Sequence, residues 1–319
     1  MKLWEVDLVA LAEICVAWED NVPRRVIQQI TSTYDVNACW VGSSSKVSVG
    51  SFCKPGGTGT LLMGQHTGRI LDKGSDPWNM GRWSYLLLKG NTKDTSLLII
   101  TGYRTGSRST PGGFKTALAQ QKTMLLKAHR QETPTGAFLT DITKWLHQYK
   151  QENMEIILAM DANEQWGNKS GIRYFAEEFQ LLNIHQEMQL PESHPNIANL
   201  QRSTNIDYLL CSQKVAQHIK YAAATPYDRE ILGDHRGIIV DLDLQNLLGI
   251  EENRVSLQVR KLVLSNPKAV QNYLGAVDSK FTAQNIYKCT DKLFQRVKAG
   301  HTDIENIMLH YCDKDHNLS

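Results

Sequence analysis

The sequence has no long hydrophobic run, and acids stand among its first residues. Its longest apolar runs, such as Leu97–Ile100, have the length of a β-strand, whereas a transmembrane helix needs roughly 18 consecutive apolar residues. Glu5 and Asp7 stand where a secretory signal would be apolar, which argues against export by that route. We therefore expect no membrane partner.

Cysteine pairs at metal-binding or redox spacing are also missing. None of the cysteines forms a C-x-x-C motif or has a histidine partner at zinc-site spacing. Scattered free thiols are typical of a reducing compartment, so the predicted location is intracellular. The six cysteines are Cys15, Cys39, Cys53, Cys211, Cys289 and Cys312.

Neither sign of charge is in marked excess. Lys and Arg total 35 against 33 Asp and Glu, a formal net charge of +2, so no overall field attracts nucleic acid or anionic lipid. Any polyanion would have to be held by a local patch or by metal ions. With 41% hydrophobic and 21% charged residues, the 319-residue chain has the composition of a folded protein.

Between about residues 35 and 243, short β-branched or apolar runs alternate with glycine-rich turns. This pattern predicts a sheet-rich domain in which two amphipathic helices, 114–129 and 136–151, each lay one face on a sheet. The predicted strands are 38–41, 46–52, 58–64, 82–89, 96–103, 155–161, 205–211 and 237–243.

After Asp243 the β-branched runs end, and Leu, Lys, Gln and Asn at helical spacing take over. This change of composition alone places a domain boundary between residues 244 and 245, giving a domain 1–244 and a helical extension 245–319. Asn266-Pro267 suits the start of a helix. The predicted helices of the extension are 255–263, 267–281, 285–297 and 303–311.

Polar side chains follow or interrupt several apolar runs. A strand that ends in an acid or an amide places it at a sheet edge, where open sheets build their sites. An acid inside an apolar strand is costly unless it has a partner, and histidine titrates near neutral pH. The residues in such positions are Glu13, Asp161, Asn163, Asp207, Asp234 and His235.

Each of these residues also has an ordinary structural interpretation that the sequence leaves open. Asp161 and Asn163 could form an Asx turn or cap a helix. Asp207 could be an edge-strand acid that faces water. Glu13 and His235 could be solvated surface residues. Only their order along the chain gives these features weight as a set.

That order is similar to a known pattern. The ordered set, spread over roughly residues 5–243, resembles the endonuclease/exonuclease/phosphatase superfamily, and is most similar to the endonuclease domains of non-LTR retrotransposons, which are related to apurinic/apyrimidinic endonucleases. The resemblance implies an α+β fold, a two-layered β-sandwich flanked by helices, of the deoxyribonuclease I-like type. The motifs that carry it are Glu13, Tyr103-Arg104, Asp161-Ala162-Asn163, Asn205-Ile206-Asp207-Tyr208 and Gly233-Asp234-His235.

The resemblance implies divalent-metal-dependent hydrolysis of a phosphodiester. Such a bond repels nucleophiles and has a poor leaving group, so a catalyst must neutralise charge and activate a water. By the resemblance, Glu13 holds Mg²⁺ or Mn²⁺ with help from Asp234. Asp161 is implied to orient and deprotonate the attacking water.

The remaining implied roles concern the phosphate. Asn163 would donate to a phosphate oxygen or hold the neighbouring acid in place. His235 would donate to the scissile phosphate while Asp207 holds its other ring nitrogen. Tyr103 matches the family's phosphate-contacting tyrosine, although a core tyrosine is an open alternative. Arg104 is predicted to add a charge-assisted phosphate contact.

Members of the family begin with a strand that supplies an asparagine near the metal. The segment Val6–Leu11 already matches the second strand, so we expect an N-terminally incomplete domain with exposed sheet edges. The helical extension would match the connector that precedes a reverse transcriptase in such elements. The resemblance thus implies DNA as the partner, a reverse transcriptase encoded downstream, and a nuclear location.

Three functions remain open from the sequence. The first is a retrotransposon-derived endonuclease that nicks DNA. The second is a phosphoesterase of the same fold that acts on small phosphate esters or RNA ends, because the site residues do not specify the leaving group. The third is a catalytically inactive remnant, which an absent first strand would favour. We take the first as the working hypothesis.

Overall fold

The structure of the chain, a computed structural model, describes residues 6–16, 22–34, 37–46, 54–91, 95–107, 116–167, 170–190, 205–225, 235–249 and 267–298. The chain divides into two compact units, Met1–Ser256 and Leu257–Ser319. None of the helices in the described ranges combines the length and the apolar composition needed to cross a bilayer.

The first unit is mainly β-structure. Its strands are β1 (Leu8–Ala12), β2 (Ala38–Ser43), β3 (Thr58–Met63), β4 (Ile70–Ser75), β5 (Trp83–Lys89), β6 (Ser96–Tyr103), β7 (Met154–Asp161), β8 (Leu181–Asn183), β9 (Asp207–Ser212), β10 (Ile219–Ala224) and β11 (Ile238–Leu242). Its helices are α1 (Val22–Tyr34), α2 (Ala117–Lys127), α3 (Pro134–Tyr149), α4 (Gly171–Glu178), α5 (Ile184–Glu187), α6 (Gln213–Gln217) and α7 (Leu244–Leu248).

A six-stranded mixed sheet with the order β4-β5-β6-β7-β9-β8 forms the centre of this unit. Side chains alternate between its two faces, as the pleat requires. Leu98 and Ile100 of β6 pack on one face with residues of α3 and α4. Leu97 and Ile99 pack on the other face. Every residue of β6 is buried, which is why its sequence is nearly continuous in apolar residues.

Helix α3 covers the first face of the sheet. The Thr133 hydroxyl accepts a hydrogen bond from the Gly136 backbone N–H, and Pro134 occupies the first turn, so the helix begins with favourable capping. Phe138 and Ile142 lie one turn apart and are buried in the cluster on that face. This packing confirms the predicted amphipathic helix, although it begins two residues earlier than the pattern suggested.

A second β layer covers the other face. It consists of a three-stranded sheet, β1-β3-β2, and the hairpin β10-β11. The hydroxyl of Thr60 on β3 lies 2.7 Å from that of Thr101 on β6, which joins the two layers. Helix α1 packs outside the second layer through Ile27 and Ile30. The predicted two-layered sandwich flanked by helices is confirmed.

Arg82, just before β5, is fully buried. Its guanidinium donates to Asp76 at 2.8 Å and to Asp141 of α3 at 2.7 Å. Removing one partner of such a buried pair typically costs about 3–5 kcal/mol, because the remaining charge is left unpaired. Arg82 therefore anchors α3 to the sheet.

The predicted helices of the extension can be compared only in part. The second unit contains α8 (Pro267–Ala283) and α9 (Ile286–Lys298), which confirms the helices predicted at 267–281 and 285–297. The predicted helices 255–263 and 303–311 lie outside the described residues, as does nearly all of the predicted strand 46–52. The domain boundary stays a prediction.

Candidate active site

Three of the predicted site residues lie side by side at one edge of the central sheet. Strands β6 and β7 are parallel, so their carboxyl ends meet, and β9 is antiparallel to β7, so it begins at the same edge. Tyr103 lies opposite Asp161 in the register of β6 and β7. Asp161 in turn lies opposite Asp207. The structure therefore places a phenol and two carboxylates on three neighbouring strands.

His235 joins this row through Asp207. Its Nδ1 lies 2.6 Å from Oδ2 of Asp207, and both side chains are mostly shielded from solvent. Asp207 pairs with Asp161 of β7, whereas β8 pairs with β9 only at Leu210–Ser212, so the hydrogen bond to His235 is what gives this carboxylate a partner within the protein. The carboxylate fixes the orientation of the ring, which leaves Nε2 as the nitrogen that could act on a ligand.

Asp161 is the most buried acid of the row. Its two carboxylate oxygens accept hydrogen bonds from the backbone N–H and the side-chain amide of Asn163, each at 3.0 Å. The first of these hydrogen bonds forms an Asx turn. Asp161 therefore has the structural role of an Asx-turn residue and also lies in the site. Burial, followed by the nearby Asp207 carboxylate, raises the pKa of Asp161 to about 7. A carboxylate with such a pKa can exchange a proton at neutral pH.

Asn163 holds the neighbouring acid. The backbone of Asn163 has a φ of 48°, a left-handed conformation that asparagine tolerates better than most residues. The side-chain Nδ2 donates to Asp161 Oδ2 at 3.0 Å and to the backbone oxygen of Arg104 at 2.9 Å. Both amide hydrogens are thus engaged within the protein. Of the two roles that the resemblance implied, the geometry supports the positioning of Asp161.

Glu13 reaches the site from the second layer. It follows β1 with a φ of 50°, and its Oε1 accepts a hydrogen bond from the Tyr103 hydroxyl at 2.9 Å. Burial and the Glu13 carboxylate raise the pKa of Tyr103, so the phenol remains a hydrogen-bond donor. Tyr103 therefore has both a buried ring, as a core tyrosine would, and a hydroxyl within the site.

The turn at Gly56 supports this contact, and the sequence did not identify it as part of the site. The backbone oxygen of Gly56 accepts from the Cys15 N–H at 2.8 Å, which fixes the segment after Glu13. Gly56 has a φ of 79°, and a Cβ there would lie 3.0 Å from Cε1 of Tyr103. The two adjacent glycines before β3 are the signal that could have indicated a close approach.

We expect Gly56→Ala to destabilise the protein by about 1–3 kcal/mol, because alanine is strained at positive φ and its methyl group crowds the Tyr103 ring. Urea denaturation measures the effect. Gly167→Ala is the matched control, since a Cβ there meets nothing within 4 Å, and it should change stability by no more than about 0.5 kcal/mol. Equal stability of the two variants would contradict the described contact.

The predicted phosphate contact of Arg104 is not supported. The guanidinium is buried and donates to the backbone oxygens of Thr135 and Ala162, each at 3.1 Å. It also lies 3.3 Å from a carboxylate oxygen of Glu164. Arg104 therefore holds the segment that follows Asp161 through its contacts with Ala162 and Glu164. The sequence could show a cation after a strand but not the burial of its charged end.

The donor set fits a hard divalent cation. One ligand atom from each of Asp161, Asp207 and His235 lies within 4.8 Å of the others. The negative charges of Asp207 and Glu13 both help to raise the pKa of Asp161, and a cation would offset this repulsion. Oxygen-rich sites of this kind suit Mg²⁺ or Mn²⁺. Asp234, the second predicted metal ligand, lies outside the described residues.

The raised pKa of Asp161 predicts a pH dependence of stability. In the folded state Asp161 has a pKa of about 7, whereas in the unfolded state it has the ordinary value of 3.8. As the pH rises, the unfolded state therefore loses this proton at a lower pH than the folded state does. Stability should therefore fall as the pH rises through this window. A cation bound by the deprotonated site should raise Tm by at least about 2–4 °C at pH 8 and by less at pH 5.

Differential scanning calorimetry with Mn²⁺ or EDTA measures both effects. Asp161→Asn, which does not titrate, should flatten the pH dependence and remove most of the gain from Mn²⁺. A gain from Mn²⁺ that is equal at the two pH values and persists in this variant would place the ion elsewhere.

Comparison with solved structures gives a match for the architecture. AP endonuclease LMAP from Leishmania major aligns with a TM-score of 0.51 and 13% identity, covering 75% of this chain and 79% of that chain. An AP endonuclease from Archaeoglobus fulgidus aligns with a TM-score of 0.50 and 13% identity, covering 76% and 91%. This chain has the deoxyribonuclease I-like fold. The sequence matches no protein-family model and no curated protein.

At this level of identity the similarity establishes the fold and leaves the activity open. Within the deoxyribonuclease I-like fold, three hydrogen-bonded pairs lie around one rim: Tyr103 with Glu13, Asn163 with Asp161, and His235 with Asp207. These residues come from distant parts of the sequence and meet only in the folded chain. Their catalytic roles stay predictions.

Proposed function

We propose that this protein is a divalent-metal-dependent phosphodiesterase that nicks DNA. One observation carries the proposal. Asp161, with a pKa raised to about 7, lies opposite Asp207, which is hydrogen-bonded to His235. A base that titrates near neutral pH beside an oriented imidazole is suited to hydrolysis, in which the base takes a proton from water as its oxygen bonds to phosphorus, and the imidazole supplies a proton as the bond to the leaving oxygen breaks.

In this proposal each residue of the site has a role that follows from the chemistry of its side chain. Asp161, held by Asn163, accepts the proton of the attacking water. His235, oriented by Asp207, donates from Nε2 to the phosphate as negative charge develops. A divalent cation held by Glu13 and Asp234, beside the carboxylates of Asp161 and Asp207, would neutralise phosphate charge. Tyr103 keeps Glu13 in place through its hydroxyl.

The choice of DNA as the substrate rests on solved structures with the same fold and on the sequence motifs. Two solved structures of the same fold are named as AP endonucleases, and the ordered motifs resemble endonuclease domains. The small net charge of +2 means that phosphate contacts must be local or made through a metal. The resemblance also supports a retrotransposon origin, with a reverse transcriptase encoded downstream and action in the nucleus.

Nicking of supercoiled plasmid tests the proposal. We expect conversion to the open circle with Mg²⁺ or Mn²⁺ and none with EDTA. A simple aryl phosphodiester and a small phosphate monoester are the comparison substrates. Faster hydrolysis of the small esters than of plasmid would instead support a general phosphoesterase. No turnover of any substrate by folded, metal-loaded protein would support an inactive remnant.

The retrotransposon origin has a separate test. The DNA that follows this reading frame in its genome should encode a reverse transcriptase. An intact neighbouring region without such a frame would contradict the proposed origin and leave the enzymatic proposal unaffected.

A further inference from the structure

The packing between the two β layers changes character towards the site. Every second residue of a strand shares a face, and away from the site the faces that meet between the layers are apolar. Leu62 of β3, Leu86 of β5 and Ile99 of β6 belong to one buried cluster there. Nearer the site, the same faces carry hydroxyl side chains. These four residues, the hydroxyl cluster, are Thr58 and Thr60 of β3, Ser84 of β5 and Thr101 of β6.

The hydroxyl cluster is shielded from solvent and is hydrogen-bonded across the two layers. Each of its residues is at most 1% exposed. The Thr60 hydroxyl lies 2.7 Å from that of Thr101 and 3.3 Å from that of Ser84. The Thr58 hydroxyl donates to that of Ser84 at 3.2 Å. Because a buried polar group is costly without a partner, these hydrogen bonds tie the layers together at one fixed place.

These hydrogen bonds also set the distance between the layers. The oxygens of Thr60 and Thr101 approach to 2.7 Å, whereas two carbon atoms in contact stand about 3.5–4.0 Å apart. A methyl group in place of the Thr60 hydroxyl would therefore push the neighbouring side chain on β6 away by roughly 0.5–1 Å. Apolar packing, as at the far end of the interface, would hold the layers further apart.

The hydroxyl cluster lies next to the contact that joins the two halves of the site. Thr58 pairs with Ala12 of β1 in the register of the sheet, and Glu13 follows Ala12 directly. Thr101 precedes Tyr103 by two residues and shares its face of β6. The Tyr103 hydroxyl donates to Glu13 at 2.9 Å. The spacing of the layers at the cluster therefore governs how far Glu13 stands from the acids of the central sheet.

We propose that Thr60 is a positioning residue of the site and acts through the hydroxyl cluster. The cluster holds Glu13, on the second layer, at the distance from Asp161 and Asp207 that one divalent cation requires. A functional site must be held to within about 0.5 Å of its working geometry, so the widening that a methyl group causes would weaken it. This inference rests on the proposed metal-dependent function for the identity of the ligand and on the hydrogen bonds alone for the spacing.

Crystal structures of two variants test the spacing without any metal. Thr60→Val keeps the shape of the side chain and exchanges the hydroxyl for a methyl group. We expect the distance between Glu13 Oε1 and the Tyr103 hydroxyl to widen from 2.9 Å to more than about 3.5 Å, beyond the range of a hydrogen bond. Thr60→Ser keeps the hydroxyl and should keep the contact. An unchanged contact in Thr60→Val would overturn the proposal, whether or not the protein cleaves DNA.

The affinity for Mn²⁺, measured by electron paramagnetic resonance, tests the consequence for the site. Thr60→Val should raise the dissociation constant at least about tenfold, as is typical when a residue that orients metal ligands is lost. Thr60→Ser should restore the affinity of the parent protein. Ile99→Val is the matched control, because it removes one methylene from the apolar end of the same interface, and it should change the dissociation constant by no more than about twofold.

Two further results decide between this inference and the proposed function. Equal weakening of Mn²⁺ binding by Thr60→Val and Ile99→Val would overturn the inference, because general packing would then account for the loss. A parent protein that binds no Mn²⁺ would contradict the proposed function, and the contact between Glu13 and Tyr103 would still decide the spacing. If Thr60→Val does not fold, Thr58→Val, which removes the longer bond to Ser84, should widen the same contact, and an unchanged contact there would overturn the inference.

Discussion

Replacing Asp161 with alanine lowers the rate of plasmid nicking by at least about 10³-fold, according to the proposed mechanism. A positioned base contributes about 10²–10⁴ to the rate, and Asp161 also contributes negative charge to the proposed cation site. Its place opposite Asp207 and its raised pKa single it out among the acids in the part of the chain that the structure describes. Initial rates of open-circle formation with Mg²⁺ measure the effect.

The control for this variant is Asp291→Ala. Asp291 is an exposed acid on helix α9, and its removal should change the nicking rate by no more than about twofold, as expected of a surface substitution. Circular dichroism on both variants separates loss of chemistry from loss of fold. If folded Asp161→Ala keeps more than a tenth of the parent rate, Asp161 is not the base.

Replacing His235 and Asp207 together is expected to cost no more than replacing one of them. Each single alanine variant should lower nicking by about 10²–10³-fold, because the two side chains form one proton-donating unit. The hydrogen bond of 2.6 Å between them is the physical basis for this coupling. A double-mutant cycle on nicking rates measures the interaction.

The chain supplies a matched control cycle. His147 and Glu178 also form a histidine–carboxylate pair at 2.6 Å, but both side chains are about half exposed on helices. Single and double alanine variants of this pair should keep nicking within about twofold of the parent. Losses at His235 and Asp207 that multiply in the double variant would show that the two residues act independently.

The ends of the central strands were predictable because their chemistry changes sharply there. Apolar runs of strand length indicated β6, β7 and β9. Tyr103 and Asp161 stood at the ends of the first two, and Asp207 was recognised as an acid within the third predicted strand, 205–211. The parallel and antiparallel pairing that aligns these residues is a long-range property that no local pattern contains. The grouping of these residues in one site was instead predicted from the resemblance to a known order of motifs.

Other elements escaped prediction for physical reasons. Strand β4 has the sequence ILDKGS and lies at the outer edge of the sheet, so only a few of its residues need be apolar. Strand β8 has three residues, too few for a periodic signal. In both, pairing with a neighbouring strand determines the conformation more than the local sequence does.

Two residues of the site show the limits of reasoning from residue type. Arg104 follows a strand, as a phosphate-binding cation would, but its guanidinium donates to backbone oxygens of the protein. Asn163 had two open roles, and the engagement of both its amide hydrogens favours one of them. In each residue the direction of the side chain decides its function, and direction depends on the assembled fold.

A crystal structure with Mn²⁺, recorded at the manganese absorption edge, tests the central idea most directly. The account predicts one strong anomalous peak at the rim, bounded by carboxylate oxygens from at least two of Glu13, Asp161 and Asp207. A peak elsewhere on the molecule, or a rim without manganese in crystals soaked at a concentration that supports nicking, would contradict it.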